Sequence, residues 1–382
     1  PWGSLAYSQI DFLPMARLAA IGGIHLVLFA TIAAACCVAF AGRALVGRST
    51  ADRREAIGAG AFFALACAVG GLGASPEAEE RDGTRIAYVQ AGVYQPGVDG
   101  RDLRREVMAR YREQTLAAAK AGVDVVVWPA SSLPGRIPFD TGLLYFVERL
   151  ARDAGVPLLV GSSGQYKESP RLRERPAANS AFLIDPERGL SEHYDKIRLV
   201  PFNEYVPLRE IVPWPRWVAD GLIDARAGER ATVFEAAGAR FAVLICWENL
   251  FPREFRARVG EGVDFVVSMT NEAFTSDRGA RHQMLTMNRF RAIESGVPVI
   301  RAATTGISAA IDSDGRLVSV VADETGEIHD VYGHRVAAVG RSPTPTAYGR
   351  FGDWLPLAAG TWLLAAGGLG RRRGQKPLLG IS

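Results

Sequence analysis

Cysteine is scarce in this chain. Only four occur in 382 residues, and three of them, Cys36, Cys37 and Cys67, lie inside apolar segments. There is no CxxC pair and no Cys/His spacing of the kind that holds a metal, so neither a zinc site nor a disulfide framework is expected. An excess of charge is missing too: 44 Lys and Arg stand against 41 Asp and Glu, a formal net charge of +3. That balance gives no argument for a nucleic-acid partner. No internal repeat is visible. The chain opens at Pro1 with neither a methionine nor a signal-peptide pattern, and we expect a piece of a longer membrane protein.

What is present is apolar sequence, unevenly placed. Residues 18–42 contain no charged side chain. As a helix they would reach roughly 37 Å, enough to cross a hydrocarbon core of about 30 Å with tilt. Residues 56–74 form a second uncharged run, and 354–370 a shorter third. Arg43, Arg48, Arg53 and Arg54 lie between the first two runs, and Arg371–Arg373 follow the third. Both basic clusters mark the cytoplasmic side by the positive-inside rule, which puts the long middle region on the opposite side. The expected division is a membrane part over 1–75, a globular domain over 76–350, and a last span with a basic tail over 351–382. Residues 75–83 and 341–353 read as linkers.

The middle region alternates strand and helix patterns, as an α/β domain does. Strands are expected at 85–90, 123–128, 157–161, 180–184, 231–235, 240–245, 263–268, 298–303, 307–312, 316–321 and 333–339. Helices are expected at 101–121, 141–154, 250–259 and 279–296. The strand-rich second half suggests an antiparallel or mixed sandwich. Residues 206–221 mix Trp214 and Trp217 with prolines and arginines. Such a loop suits a lipid headgroup layer, or an ordinary packed loop.

The chemistry centres on Cys246. The run Phe241-Ala-Val-Leu-Ile ends abruptly there, and Trp247-Glu248-Asn-Leu-Phe-Pro252 follows. A strand, a sharp turn and a helix are predicted, with the thiol at the helix mouth, where the helix dipole favours thiolate. Alone, this pattern also fits a small core residue. Three further stretches stand beside it: Trp128-Pro129-Ala130, Tyr194-Asp-Lys196 through Glu204 to Pro207, and Thr270-Asn271-Glu272-Ala-Phe with Arg289 through Ser308.

With these stretches the chain resembles the nitrilase superfamily and, within it, the bacterial apolipoprotein N-acyltransferases. Pro1-Trp2 and Tyr7-Ser8-Gln9 extend the likeness into that family's membrane part. The resemblance implies a four-layer α-β-β-α nitrilase-like domain outside the cytoplasm, carried on transmembrane helices of which this chain holds the last three. It implies transfer of a fatty acyl group from a phospholipid donor, through a cysteine thioester, to the N-terminal amine of a lipoprotein acceptor. The setting would be the bacterial inner membrane. A monomer is expected, and no cofactor, metal or nucleotide is implied.

The family's Glu–Lys–Cys set maps its lysine to Lys196 and its cysteine to Cys246. Its glutamate, the general base, falls on Ala130, which cannot move a proton. A deliberate change and a natural variant would both leave that alanine. Lys196 would lower the thiol pKa and, with the backbone N–H of Trp247, steady the tetrahedral oxyanion. Glu204 resembles the acid that holds the lysine and the incoming amine, and Glu248 another site-lining acid; either is a poor stand-in for the base. Asn271 and Arg291 resemble structural pins. The residues leave other readings open: a Cys246–His282 dyad, a membrane-tethered amidohydrolase of the same fold, or a catalytically dead lipoprotein-binding module.

Overall fold

The structure, a computed structural model, describes residues 2–47, 50–72, 83–92, 101–163, 178–219, 224–273, 275–340 and 345–374. Arg48, the linker residues 75–82 and 341–344, residues 220–221 of the Trp-bearing loop and the tail beyond 374 lie outside them. The chain forms two units, one of Pro1–Trp2 with Ser75–Thr344 and one of Gly3–Ala74 with Pro345–Ser382.

The smaller unit is helical. Helices α1 (Ala19–Gly47) and α2 (Thr50–Leu72) cover the first two uncharged runs. Two stretches in them, Ala19–Val46 and Asp52–Leu72, are long and apolar enough to cross a membrane. Phe29, Val38, Ile57 and Leu65 are exposed on these helices. Helices that are apolar all round suit hydrocarbon surroundings. Near its start α1 is broken at Gly22 and Gly23, the latter with φ 66°, a conformation glycine adopts without a Cβ clash. The third run is helical over Trp354–Gly374, but its apolar part, Trp354–Ala366, is shorter than a span.

The larger unit is built from apolar strands. In chain order it holds β1 (Thr84–Gln90), α3 (Arg101–Lys120), β2 (Val125–Val127), α4 (Thr141–Ala154), β3 (Leu158–Ser163), β4 (Asn179–Asp185) and β5 (Gly189–Asp195). Then come β6 (Val233–Ala236), β7 (Ala239–Ile245), α5 (Pro252–Val259), β8 (Phe265–Thr270) and α6 (Arg278–Ser295). Strands β9 (Val299–Ala303), β10 (Ala309–Ile311), β11 (Leu317–Val320) and β12 (Gly333–Val339) complete it. One sheet has the order β12-β1-β2-β3-β4-β5, the other β11-β10-β9-β8-β7-β6. Each has two parallel pairs, β1–β2–β3 and β7–β8–β9, with antiparallel strands on either side.

Side-chain alternation turns these sheets into four layers. Ile86, Tyr88, Val125 and Val127 of the first sheet share one buried cluster with Phe241, Val243, Phe265 and Val267 of the second. Their neighbours Ala87, Val89 and Val126 turn the other way, onto Tyr111 of α3 and Val147 of α4. Ala242, Leu244 and Val266 likewise face Phe255 of α5 and Leu285 of α6. Strands covered on both faces read as unbroken apolar runs, which is why they stood out in the sequence. The layers are therefore α-β-β-α, as the resemblance implies.

Helix ends follow local chemistry. Asp140 and Asp277 cap α4 and α6 by accepting backbone N–H bonds, and Gly155 and Gly296 close them in the left-handed conformation. Two departures from expectation stand out. Strand β5 was not foreseen, because Gly-Leu-Ser-Glu-His-Tyr-Asp lacks an apolar alternation; it forms by pairing with β4 at the sheet's edge. The helix expected from residue 250 starts at Pro252, and a five-residue 3-10 turn, Cys246–Leu250, stands between it and β7.

Candidate active site

Cys246 leaves the end of β7 with φ 57°, a left-handed conformation unusual for a residue with a side chain. Such strain, worth about 1–3 kcal/mol, persists only where the surroundings enforce it. Here the enforcing group is Glu248. Its carboxylate accepts the N–H of Ile245 (2.9 Å), those of Ile197 and Arg198 (2.9 Å each), and the Tyr194 hydroxyl (2.8 and 3.0 Å). One buried side chain thus ties the cysteine turn to the segment that carries Lys196. Arg258 in turn donates to the Tyr194 hydroxyl at 3.1 Å. Burial pushes the Glu248 carboxyl up, against the pull of the backbone N–H donors of Arg198 and Ile245. With both oxygens engaged, Glu248 clamps the cysteine turn to the segment that carries Lys196.

Lys196 follows directly on β5 and is completely buried. Its Nζ donates to both oxygens of Glu204, at 2.9 and 2.7 Å. A tight loop returns Glu204 to the lysine: the Glu204 N–H donates to the Val200 carbonyl, and the Val200 N–H to Glu204 Oε2. Asn179 adds a bond to Oε1 at 3.3 Å. Glu204 is therefore a partner for the ammonium, with no oxygen free for proton transfer from a substrate.

Ala130 sits at the turn after β2, buried in the same inter-sheet cluster against which Ile197 and Cys246 pack. Trp128, two residues before it, stacks on Tyr111 and donates to Thr115 at 3.0 Å, which anchors that strand end. Ser131 continues the turn with φ 52°. Gly161 of β3 lies beneath, where a Cβ would overlap Pro129 and Ala130. The turns after β2 and β7 and the segment after β5 thus border one inter-sheet cluster, in which Ala130 is buried and against which Ile197 and Cys246 pack.

The electrostatics of the thiol differ from expectation. Burial pushes Cys246 above its ordinary value; the Lys196 ammonium and the Trp247 N–H pull it down, while Glu204 and Glu272 push it further up. Burial wins. The 3-10 turn adds little dipole, because five residues align few peptide units. Attack by a sulfur raised in this way calls for a proton acceptor. Iodoacetamide labelling of Cys246 should accordingly be slow at pH 7 and rise about tenfold per pH unit to beyond pH 9, with no plateau near neutrality. A plateau below pH 8 would show a preformed thiolate.

Trp247 is half-buried, and its ring stacks on Trp2 at 5.4 Å between centroids. Asn271 accepts from the Ala273 N–H and from Thr304, pinning two loops. Arg291 is ion-paired with Glu294 at 2.9 Å and reaches the Leu250 carbonyl, so it braces the cysteine turn from α6. His282 meets His329, Nε2 to Nε2 at 3.3 Å, and so already has a partner. The sequence reading missed Glu272. It is fully buried and ion-paired with Arg301, a residue 29 positions away that only the pairing of β8 with β9 brings near. Beyond the site, Leu208, Ile211 and Trp217 are exposed on the loop that follows Glu204. Trp214 turns inward, donating to the Pro207 carbonyl at 2.7 Å.

Comparison with known proteins bears on this arrangement. The carbon-nitrogen hydrolase family profile matches residues 85–332. The chain is 32% identical over 324 residues to an apolipoprotein N-acyltransferase of Geobacter metallireducens, covering 83% of this chain and 61% of that one. It is 30% identical over 390 residues to one from Azotobacter vinelandii, covering 98% of this chain and 70% of the relative. The chain spans about three fifths to two thirds of the length of such curated relatives. Among solved structures, a nitrilase-superfamily amidase from Nesterenkonia AN1 matches with a TM-score of 0.52 and 18% identity. That match covers 76% of this chain and all of the amidase, a likeness of fold.

Proposed function

Because the chain belongs to the carbon-nitrogen hydrolase family and, within it, to the apolipoprotein N-acyltransferases, we propose that it is a membrane-held acyltransferase with its usual base position empty. Cys246 Sγ attacks the ester carbonyl of a phospholipid. Lys196, held by Glu204, offers positive charge to the oxyanion, and a lysophospholipid leaves. The α-amine of a lipoprotein's lipidated N-terminal cysteine then attacks the thioester and takes the acyl chain. The observation that carries this reading is the buried Lys196–Glu204 pair beside a strained, half-buried cysteine, tied to it through Glu248.

The membrane side of the proposal rests on the two long apolar helices and on the basic clusters of the sequence. The hairpin carrying Arg43 lies in the cytoplasm, and the domain over 76–350 faces the other side of a bacterial inner membrane. Leu208, Ile211 and Trp217 suit contact with the lipid from which the donor comes. The protein acts as a monomer.

Mass spectrometry of the chain isolated from membranes tests the reading. A fatty acyl mass on the peptide containing Cys246, absent after Cys246→Ala, is expected. A chain that carries Ala130→Glu and still gains no acyl mass from phospholipid would exclude the acyltransferase. Release of free fatty acid with no transfer to a lipoprotein amine would favour the tethered hydrolase instead.

A further inference from the structure

The mechanism above leaves one step without an agent. Burial raises the thiol above its ordinary value, Ala130 cannot take its proton, and Glu204 and Glu248 have their oxygens engaged. A third buried carboxylate lies at the same sheet edge. Strands β7 and β8 run parallel with Ile245 opposite Met269, so Cys246 and Thr270 leave the sheet side by side. Glu272 follows two residues later, completely buried. Catalytic groups gather at such carboxyl ends of parallel strands.

Glu272 is unevenly satisfied. Oε1 is held by Arg301 of β9, with Thr270 at 3.5 Å, whereas Oε2 has no hydrogen-bond partner among the described residues. Oε2 lies against Gly306, where any Cβ would overlap it. A buried acceptor left open costs about 1–3 kcal/mol and calls for a reason. Arg301 fixes the side chain and leaves one lone-pair-bearing oxygen buried. Its charge also reaches the sulfur, as the upward push on the thiol shows.

We infer that Glu272 is the proton acceptor for Cys246 in this chain and fills the part that Ala130 leaves open. The inference rests on the acyltransferase reading. As sulfur bonds to the ester carbon, its proton passes to Glu272 Oε2, directly or through one water, and the carbonyl electrons move onto oxygen. When the carbonyl re-forms, the C–O ester bond breaks and Glu272 returns the proton to the departing alkoxide. In the second half the attacking amine gives its proton to Glu272, which passes it to the leaving thiolate.

The test compares four forms of the full chain in detergent with phospholipid: the chain itself, Glu272→Gln, Ala130→Glu, and both changes together. Thioester formation should fall by about 10²-fold or more on Glu272→Gln in the parent chain. In the Ala130→Glu background the same change should cost less than about tenfold, since a second base is present. Equal losses in both backgrounds would assign Glu272 a structural role and overturn the inference. So would a parent chain that forms no thioester while Ala130→Glu does, or one indifferent to Glu272→Gln. If no form acylates, the acyltransferase reading itself falls. Should Glu272→Gln fail to fold, Glu272→Asp keeps the charge and withdraws the oxygen by one methylene, and the same comparison applies.

Discussion

Replacing Ala130 by glutamate should raise the rate of Cys246 acylation by about 10²–10⁴-fold, the usual worth of a well-placed general base. The position is prepared for it. Ala130 is buried in the cluster against which Cys246 packs, at a turn held by Trp128 on one side and by the approach of Gly161 on the other. If Lys196 stands beside position 130, as the proposed mechanism requires, its ammonium would offset part of the new carboxylate's desolvation. Burial raises the Cys246 thiol above its ordinary value, so the effect of a base should appear in the acylation step. Stopped-flow acylation by an activated fatty ester, followed by release of the chromophore, measures it. Equal rates before and after the substitution would mean that position 130 does not face the sulfur. The pH profile carries a second expectation: the Ala130→Glu rate should rise as the new carboxyl ionises and then level off.

Loss of Lys196 should be the most damaging single change. Lys196→Ala removes the ammonium that would steady the oxyanion and leaves Glu204 buried without its ion-pair partner. Breaking a buried pair in this way costs about 3–5 kcal/mol. Glu204 keeps its bonds from the Val200 N–H and from Asn179, so the loop around it should persist in part. Denaturant unfolding would show the drop in stability, and acylation should vanish even below the transition. Pairing Lys196→Met with Glu204→Gln should restore much of the stability, because no uncompensated charge remains, yet restore no acylation. A Lys196→Met/Glu204→Gln chain that still forms the thioester would remove the ammonium from the mechanism.

Much of this was legible in the sequence because the fold buries its strands on both faces. Runs such as Val123-Asp-Val-Val-Val and Phe241-Ala-Val-Leu-Ile announce themselves by composition, and the abrupt end of the second marks the cysteine. Helices α4 and α6 were bounded by capping aspartates and closing glycines that sequence shows directly. What escaped depended on partners far along the chain. Strand β5, half polar, becomes a strand only because β4 offers its edge. Glu248 looks like a site acid until the N–H groups of Ile197 and Arg198, some fifty positions earlier, are seen to converge on it. Glu272 carries no local sign of its importance; β8 and β9 must pair before Arg301 meets it. The expected lowering of the thiol pKa failed for a related reason. Charge and helix position can be guessed from spacing, but the degree of burial that outweighs them comes from packing two sheets together.

The matching strand patterns of the two sheets have a practical corollary. Position 130 comes from the first sheet's parallel strands, Cys246 and Glu272 come from the second's, and Lys196 leaves the first sheet's edge to meet them. The proposed reaction centre is thus split between amino-terminal and carboxy-terminal halves of the domain, neither of which holds all of its residues. Severing the chain in the stretch between β5 and β6 would yield two inert fragments. Any activity regained on mixing them would report how faithfully the halves re-dock.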